Sequence, residues 1–386
     1  MPYSVLEAKP ISQLCTVVDC EHKTAPYVIE SEYLVVRTSN VRNGQLVMDD
    51  MKYTTSEGYE EWTQRAVPEY GDVLFTREAP AGESCLVPYD KKVCMGQRMV
   101  MLRPKKKVTD PVFLSLILNT ERTKTDISRL SIGSTVSRIN IADIKKLKVA
   151  CPPLPEQQKI AKILSTWDKA IATTEKLIAT SQQQKKSLMQ QLLTGKKRLV
   201  NPETGKVFEG EWKKVELGKL LDYKQPTPYL VKSTEYSDEY PTPVLTAGKT
   251  FILGYSNEDF GIFSEKLPAI IFDDFTTASK FVDFPFKAKS SAMKILIAKD
   301  GVFIKYVYEA MQVLNYPVGG HQRHWISIFA NLVIGLPEPQ EQQKIASVLT
   351  AADKKIELLE AKLAHLKDEK KALMQQLLTG KRRVQM

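Results

Sequence analysis

EQQKIAKILSTWDKAIATTEKLIATSQQQKKSLMQQLLTGK fills residues 156–196, and EQQKIASVLTAADKKIELLEAKLAHLKDEKKALMQQLLTGK fills residues 341–381. The offset is constant, 185 residues from Glu156 to Glu341, and the alignment runs back to Arg138 over Arg323 without a gap. A long match at fixed offset is an internal duplication, so the order domain, helix, domain, helix is set before any other residue is read. In the second copy Ile345, Leu349, Ala352, Ile356, Leu359, Leu363, Leu366, Leu373 and Leu377 alternate steps of four and three, with Lys370 in one polar slot. That is a heptad seam. The first copy keeps the register at Ile160, Leu164, Trp167, Ile171, Ile178, Leu188 and Leu192, with Thr174, Ser181 and Lys185 polar. Pro153 and Pro155 precede one helix, Pro337 and Pro339 the other, and Gly195 and Gly380 are placed as C-terminal caps.

Two matched stripes are expected to pack on each other rather than on separate domains. A run of about 40 residues gives a rod of about 60 Å. Residues 200–335 join the end of the first helix to the start of the second, which favours an antiparallel pair. The expected architecture is α+β. Two mixed α/β domains sit at opposite ends of an antiparallel pair of long coiled-coil helices, pseudo-two-fold and circular in organisation. The boundaries are 1–150, 151–199, 200–335 and 336–386. YLVV, DVLF, RMVMLR, AIIF, MKILIA and WISIF read as strands. Residues 112–130 read as one helix, with residues 301–314 its counterpart. The two domains are related at their edges, where LKVACPPLPEQQ matches LVIGLPEPQEQQ, while their interiors differ widely.

At 386 residues and 43% hydrophobic content the chain suits two cores. No apolar run approaches the roughly 20 residues of a membrane span, and the first residues lack a signal-peptide pattern. A cytoplasmic protein is expected. Cys15, Cys20, Cys85, Cys94 and Cys151 are odd in number and lack paired CxxC spacing, which argues for reduced thiols over a zinc site. Most of the net charge of +10 falls on the helical repeats, so any nucleic-acid binding by the domains works through local patches.

Motifs for chemistry are weak. There is no NPPY-type loop; the only adjacent prolines are Pro152 and Pro153. Residues 247–250 (AGKT) imitate the end of a phosphate loop, but Pro243 stands where its first glycine belongs and FILGY after it reads as strand. Lys249 remains a candidate for DNA phosphate. Asp273 and Asp274 follow the strand AIIF, either as a nuclease metal pair or as a strand-end turn.

Candidates for DNA contact rest on residue type and loop context. Arg37, Asn40 and Arg42 follow YLVV, and Arg77 follows DVLFT. Arginine reads guanine and asparagine reads adenine bidentately, although each can equally shape a turn. Arg103, Lys105, Lys106 and Lys107 form a basic run suited to phosphates or to solvent. Ser134, Thr135, Ser137 and Arg138 lie in a glycine-rich loop whose counterpart by offset holds His321, Gln322, Arg323 and His324; this pair is the strongest candidate. Lys280, Ser290 and Ser291 are weaker ones.

The repeats, together with GDVLFTREAPAG (residues 71–82), PVLTAGKTFILGYS and AIIFDDFTTASKFVDFPFKAKSSAMKIL, resemble the specificity subunit of type I restriction–modification enzymes. The resemblance covers essentially the whole chain. It implies a subunit without an active site of its own that reads a split DNA sequence, one half per domain. It also implies two adenine-methyltransferase partners using S-adenosylmethionine, and ATP-driven motor-nuclease subunits needing magnesium. No cofactor is expected in this chain. The helix pair would then set the gap between half-sites. A matched heptad in both helices adds about 10.5 Å, or roughly three base pairs. Rivals are the specificity subunit of a methylase–nuclease fusion system, a coiled-coil adaptor that binds no DNA, and a nuclease built on Asp273 and Asp274.

Overall fold

Two 39-residue helices and a set of small sheets make up the computed structural model, which describes residues 6–133, 137–246, 248, 250–314 and 324–385. Packing divides the chain into two compact units, Met1–Thr174 with Lys362–Met386, and Glu175–Ala361. The division cuts through both long helices. Each domain is therefore finished by a piece of each helix, rather than ending where its helix begins.

Unit 1 contains β1 (Ala8–Pro10), β2 (Cys15–Asp19), β3 (Tyr33–Val36), β4 (Val41–Arg42), β5 (Gln45–Leu46), β6 (Lys52–Thr54), β7 (Val73–Thr76), β8 (Ser84–Leu86), β9 (Lys92–Met95), β10 (Met99–Pro104) and β11 (Lys148–Ala150). Its helices are α1 (Ile11–Leu14), α2 (Ser56–Trp62), α3 (Pro111–Leu118), α4 (Glu121–Leu130), α5 (Ile141–Lys146) and the start of α6 (Leu154–Leu192). The strand order is β2-β10-β7-β8 in one sheet and β6-β3-β9 in another, with β3 and β9 parallel. Successive side chains of a strand point to opposite faces. Val73, Phe75, Val100 and Leu102 accordingly enter the core beneath the helices. Leu74, Met99 and Met101 enter a second core with Leu34, Val36 and Val93. Burial on both faces is why DVLF and RMVMLR read as unbroken apolar runs.

Unit 2 repeats this plan with β12 (Lys213–Glu216), α7 (Leu217–Leu220), β13 (Leu221–Lys224), β14 (Thr242–Leu245), β15 (Ile252–Ser256), β16 (Ala269–Asp273), β17 (Ser279–Val282), β18 (Lys287–Ala288), β19 (Met293–Ala298), α8 (Ile304–Met311), α9 (His324–Ser327) and β20 (Val333–Leu336). Its sheets run β13-β19-β16-β17 and β15-β14-β18, again with one parallel pair, β14 with β18. Ile270, Phe272 and Leu296 face one core, and Ile271, Ile295 and Ile297 the other. The interiors thus share a topology that their unlike side chains conceal, which corrects the expectation of kinship at the edges alone.

Two other expectations change. The stretch WISIF is not a strand. It forms α9 and a 3-10 turn at Phe329–Asn331, because Trp325 and Phe329, four residues apart, both pack on the Phe272 ring at 5.4 and 4.8 Å. The helix expected over residues 112–130 is two helices. Asn119 donates to the Ser115 carbonyl, and Thr120 caps α4 by accepting from the Thr123 amide at 3.4 Å.

The second long helix is α10 (Pro339–Leu377). Within unit 1, Ile160 and Leu164 near the start of α6 share a core with Leu377 and Leu378 at the end of α10. Within unit 2, Leu192 and Leu193 share one with Ile345 and Leu349 near the start of α10. The two helices run antiparallel in each unit. The expected seam residues are all buried or half-buried. Its two lysine slots are filled by pairing: Lys370 with Asp168 in unit 1 and Lys185 with Asp353 in unit 2, both at 2.5 Å. These are the same two residue types at the repeat offset. The helix ends repeat as well. Gly195 and Gly380 have φ of 72° and 73°, a left-handed turn that glycine takes without a side-chain clash. Beyond them Arg198 forks onto Glu341 at 2.6 and 2.7 Å, and Arg383 forks onto Glu156. Each clamp ties the exit of one helix to the entry of the other.

One knot in unit 2 predicts acid sensitivity. The Lys287 side chain is fully buried, pairs with Glu258 at 3.0 Å and bonds the Phe260 carbonyl. Burial pushes the Glu258 carboxyl up, but the Ser233 and Lys232 amides and the Lys287 ammonium outweigh it and hold the group below its ordinary 4.5. A carboxyl with a folded pKa below its unfolded one contributes stability above the unfolded value and loses it as pH falls through the folded value. The melting temperature should therefore fall below about pH 4.5, and Glu258→Gln should flatten that limb. Coincident acid limbs for the two proteins would refute the assignment.

Candidate nucleic-acid interface

In unit 1 three loops meet at one end of the four-stranded sheet. They are residues 77–83 after β7, residues 96–98 between β9 and β10, and residues 131–133 with 137–139. The Arg77 amide donates to the Arg98 carbonyl at 2.8 Å, and the Ile139 amide donates to the Arg77 carbonyl at 3.0 Å. Glu78 bridges to Arg138, which exchanges backbone bonds with Ile132 at 2.8 and 3.0 Å. The frame is rigid because its backbone groups bond across loops. Arg98 and Arg138 stand out from it, 56% and 57% exposed, each with its Nε against Glu78. His22 and Gln97 lie beside them, with the Gln97 amide donating to the His22 carbonyl at 3.3 Å. The Ala81 amide donates to Ser137 Oγ at 3.4 Å. Ser134 and Thr135 lie outside the described residues.

The β4–β5 hairpin joins this cluster, since the Asn43 amide donates to Glu83 at 2.8 Å. Arg42 on that hairpin is exposed and has no ion pair among the described residues. Its neighbours are not free. Arg37 is held by Asp50 at 2.9 Å. Asn40 is fully buried; its amide donates to the Val47 and Asp49 carbonyls and its oxygen accepts from the Arg37 amide. Arg77 is buried at 7% exposure with Asp19 at 3.1 Å. Asn40 and Arg77 are buried and shape loops, which corrects the expectation for those two.

The basic run falls elsewhere. Antiparallel pairing of β7 with β10 sets Thr76 opposite Met99 and Val73 opposite Leu102. Arg103, Lys105, Lys106 and Lys107 therefore leave the sheet at the end opposite Arg98. Arg103 chelates Asp72 through Nε and an NH2 at 2.7 Å, which holds its guanidinium above its ordinary value. Lys105 donates to the Ser12 carbonyl, while Lys106 and Lys107 are exposed.

Unit 2 brings loops together at the same topological place. The Asp274 amide reaches the Ala292 carbonyl at 3.4 Å, as Arg77 reaches Arg98 in unit 1. Asp274 Oδ1 accepts from the Trp325 amide at 2.9 Å, and Lys294 lies 3.8 Å from its other oxygen. Asp273 accepts from the Phe275 and Thr276 amides. Both acids serve the turn. Among the described residues no cluster of three or more metal-binding side chains occurs. Lys280 is exposed on β17, and Ser290 and Ser291 are exposed in the loop before β19. Phe275 crowns the hairpin, 48% exposed. Lys249, His321, Gln322 and Arg323 lie outside the described residues, as does the His324 side chain.

The five cysteines are unpaired and buried, and burial pushes the thiols of Cys15, Cys85 and Cys94 up to about 12. Among the described residues no helix is long and apolar enough to cross a membrane.

A model of the type I restriction modification DNA specificity domain matches residues 10–181 and again residues 209–368, one match per domain with most of its helix. The chain belongs to this family. Within the family, the EcoR124I/EcoR124II specificity subunit of Escherichia coli is 50% identical over 145 residues, 36% of this chain and 35% of that protein. That match spans about a third of the relative. A protein of Methanocaldococcus jannaschii assigned as the MjaX specificity subunit is 28% identical over 395 residues, 91% of this chain and 88% of its own. The type I S subunit of M. genitalium has the same fold, with a TM-score of 0.66 at 15% identity over 98% of this chain and 97% of that one.

The loop geometry adds Arg98, Gln97 and His22 as candidates that the sequence reading does not include. The signal was the turn MGQRM between two apolar strands. Reading Arg98 as the first residue of RMVMLR hid that it sits in the turn, at φ 67°.

Proposed function

We propose that this chain reads a bipartite, asymmetric site in duplex DNA, one part per unit, through the two loop clusters. The observation that carries this reading is that both units gather loops at the same end of the same sheet, with different side chains on each. A shared frame with unlike contacts suits two different half-sites. In unit 1 the outward groups are arginines, whose planar donor forks match guanine edges and phosphates.

The same reading makes the chain a non-catalytic scaffold for two adenine-methyltransferase subunits and for ATP-dependent motor-nuclease subunits. S-adenosylmethionine, ATP and magnesium would then serve those partners. The repeated helix ends support it, because a duplicated surface suits two copies of one partner.

The test is exchange of residues 1–150 for the first domain of a related protein, followed by mapping of methylated adenines in a host carrying the complex. One half-site should change and the other stay. Joint change of both halves would end the division by domain. Arg138→Ala narrows the chemistry. Uniform weakening on all sequences, with a salt slope lower by about one, marks a phosphate contact. Loss of about 1–3 kcal/mol at a single base pair marks base reading. Unaltered binding by the folded variant would reduce the loop to a structural turn.

A further inference from the structure

We propose that Glu78 is a specificity-determining residue of unit 1: it positions Arg98 and Arg138 as one paired fork and disfavours non-matching DNA by its charge. The inference rests on the DNA-reading function above and goes further, to how that reading discriminates.

Arg98 Nε lies 3.1 Å from one oxygen of Glu78, and Arg138 Nε lies 3.4 Å from the other. Each guanidinium approaches Glu78 most closely through the inner of its nitrogens, as an ion pair. The terminal nitrogens of each, which carry four of its five N–H donors, remain for a ligand. The Glu78 side chain is 19% exposed, the two arginine side chains more than half. Anion below and donors above is the arrangement of a support, not of a self-contained ion pair. Exposed pairs contribute little to folding, so stability does not account for it. The backbone points the same way. Arg98 adopts φ 67°, a conformation uncommon for residues with side chains, and its carbonyl is pinned by the Arg77 amide. Glu78 and Arg138 are bridged directly. Both arginines are thus biased in direction before any ligand arrives, by a tethered backbone and a shared counter-charge, which lowers the ordering cost of recognition.

The charge acts in a second way. Arginines free to swing toward any phosphate would bind all sequences alike. A carboxylate between them repels phosphate wherever the forks are not satisfied by their proper partners, and a repulsive element of this kind raises discrimination at the cost of affinity. Among the described residues of unit 2 no carboxylate sits between two arginines at the matching hairpin, where Asp273 and Asp274 accept from backbone amides. The effect is therefore confined to one half-site.

The test uses the full chain co-purified with the subunits it assembles with, a randomised duplex pool for selection, and a fixed duplex lacking the selected sequence. Wild type should enrich a two-part sequence. Glu78→Gln should lower preference at base pairs of one part by about fivefold or more. It should also raise affinity for the non-matching duplex and steepen its salt slope by about one. The other part should be untouched. Arg98→Lys keeps the charge and loses the planar fork, so it should blur the same base pairs without the change in salt slope. Unchanged preference in folded Glu78→Gln, or equal blurring of both parts, would overturn the role of Glu78. Enrichment of no sequence by wild type would instead sink the DNA-reading function itself.

Discussion

Arg198→Ala is expected to destabilise unit 2 by about 3–5 kcal/mol, the usual cost of stripping the partner from a buried charge. Glu341 is 1% exposed and holds both of its oxygens against the Arg198 fork, with the Trp212 indole donating to one of them at 3.2 Å. Hydrogen bonds to Glu341 hold the Arg198 guanidinium above its ordinary value. Arg198 also donates to the Gly210 and Glu209 carbonyls. Lysine has the charge but not the fork, so Arg198→Lys should recover only part of the loss. The twin variant Arg383→Ala should cost less, because Arg383 is 41% exposed against 21% for Arg198 and water reaches it readily. Denaturant unfolding, followed through Trp212 for unit 2, separates the two. A loss below about 1 kcal/mol for Arg198→Ala would place the clamp among ordinary surface pairs.

Asp274→Ala is expected to be as severe and to remove recognition by unit 2. The side chain is 4% exposed, beside the equally buried Lys294, and accepts from the Trp325 amide. Its removal leaves a buried ammonium with Gln225 at 3.3 Å and loosens the anchor of α9. The cost is again about 3–5 kcal/mol. Preference should vanish for the half-site read by unit 2 and persist for the other. A metal-dependent nuclease predicts the opposite pattern, a stable protein that binds normally and no longer cuts. Normal stability in Asp274→Ala would revive that reading.

The long helices and their seam were legible in the sequence because a heptad repeat over five turns or more leaves few alternatives, and a duplication doubles the signal. Strands buried on both faces were legible as apolar runs. WISIF misled because its apolar residues fit steps of one and of four equally, and only the Phe272 ring decides between them. The common plan of the two domains was hidden since topology is set by which residues are apolar, not by which apolar residue is used. Site residues were the least legible. Arg37, Asn40, Arg77 and Arg103 have the composition of DNA contacts, yet each is held by an acid or carbonyl distant in sequence. Arg98 was passed over because its turn is defined by φ, which the residue name does not carry.

The allotment of Lys362–Met386 to unit 1 has a consequence for the birth of the protein. Ile160 and Leu164 are made early, but the Leu377 and Leu378 side chains that cover them leave the ribosome only after all of unit 2. Unit 2 lies wholly between and can close while unit 1 still waits. At about 5–20 residues per second the wait lasts on the order of 10–40 s. During it, an apolar strip near the start of α6 is open to chaperones, to proteases and to the same segment of a neighbouring nascent chain. A message cut short at Lys362 would therefore spare unit 2 and leave the earlier part of unit 1 without its cover.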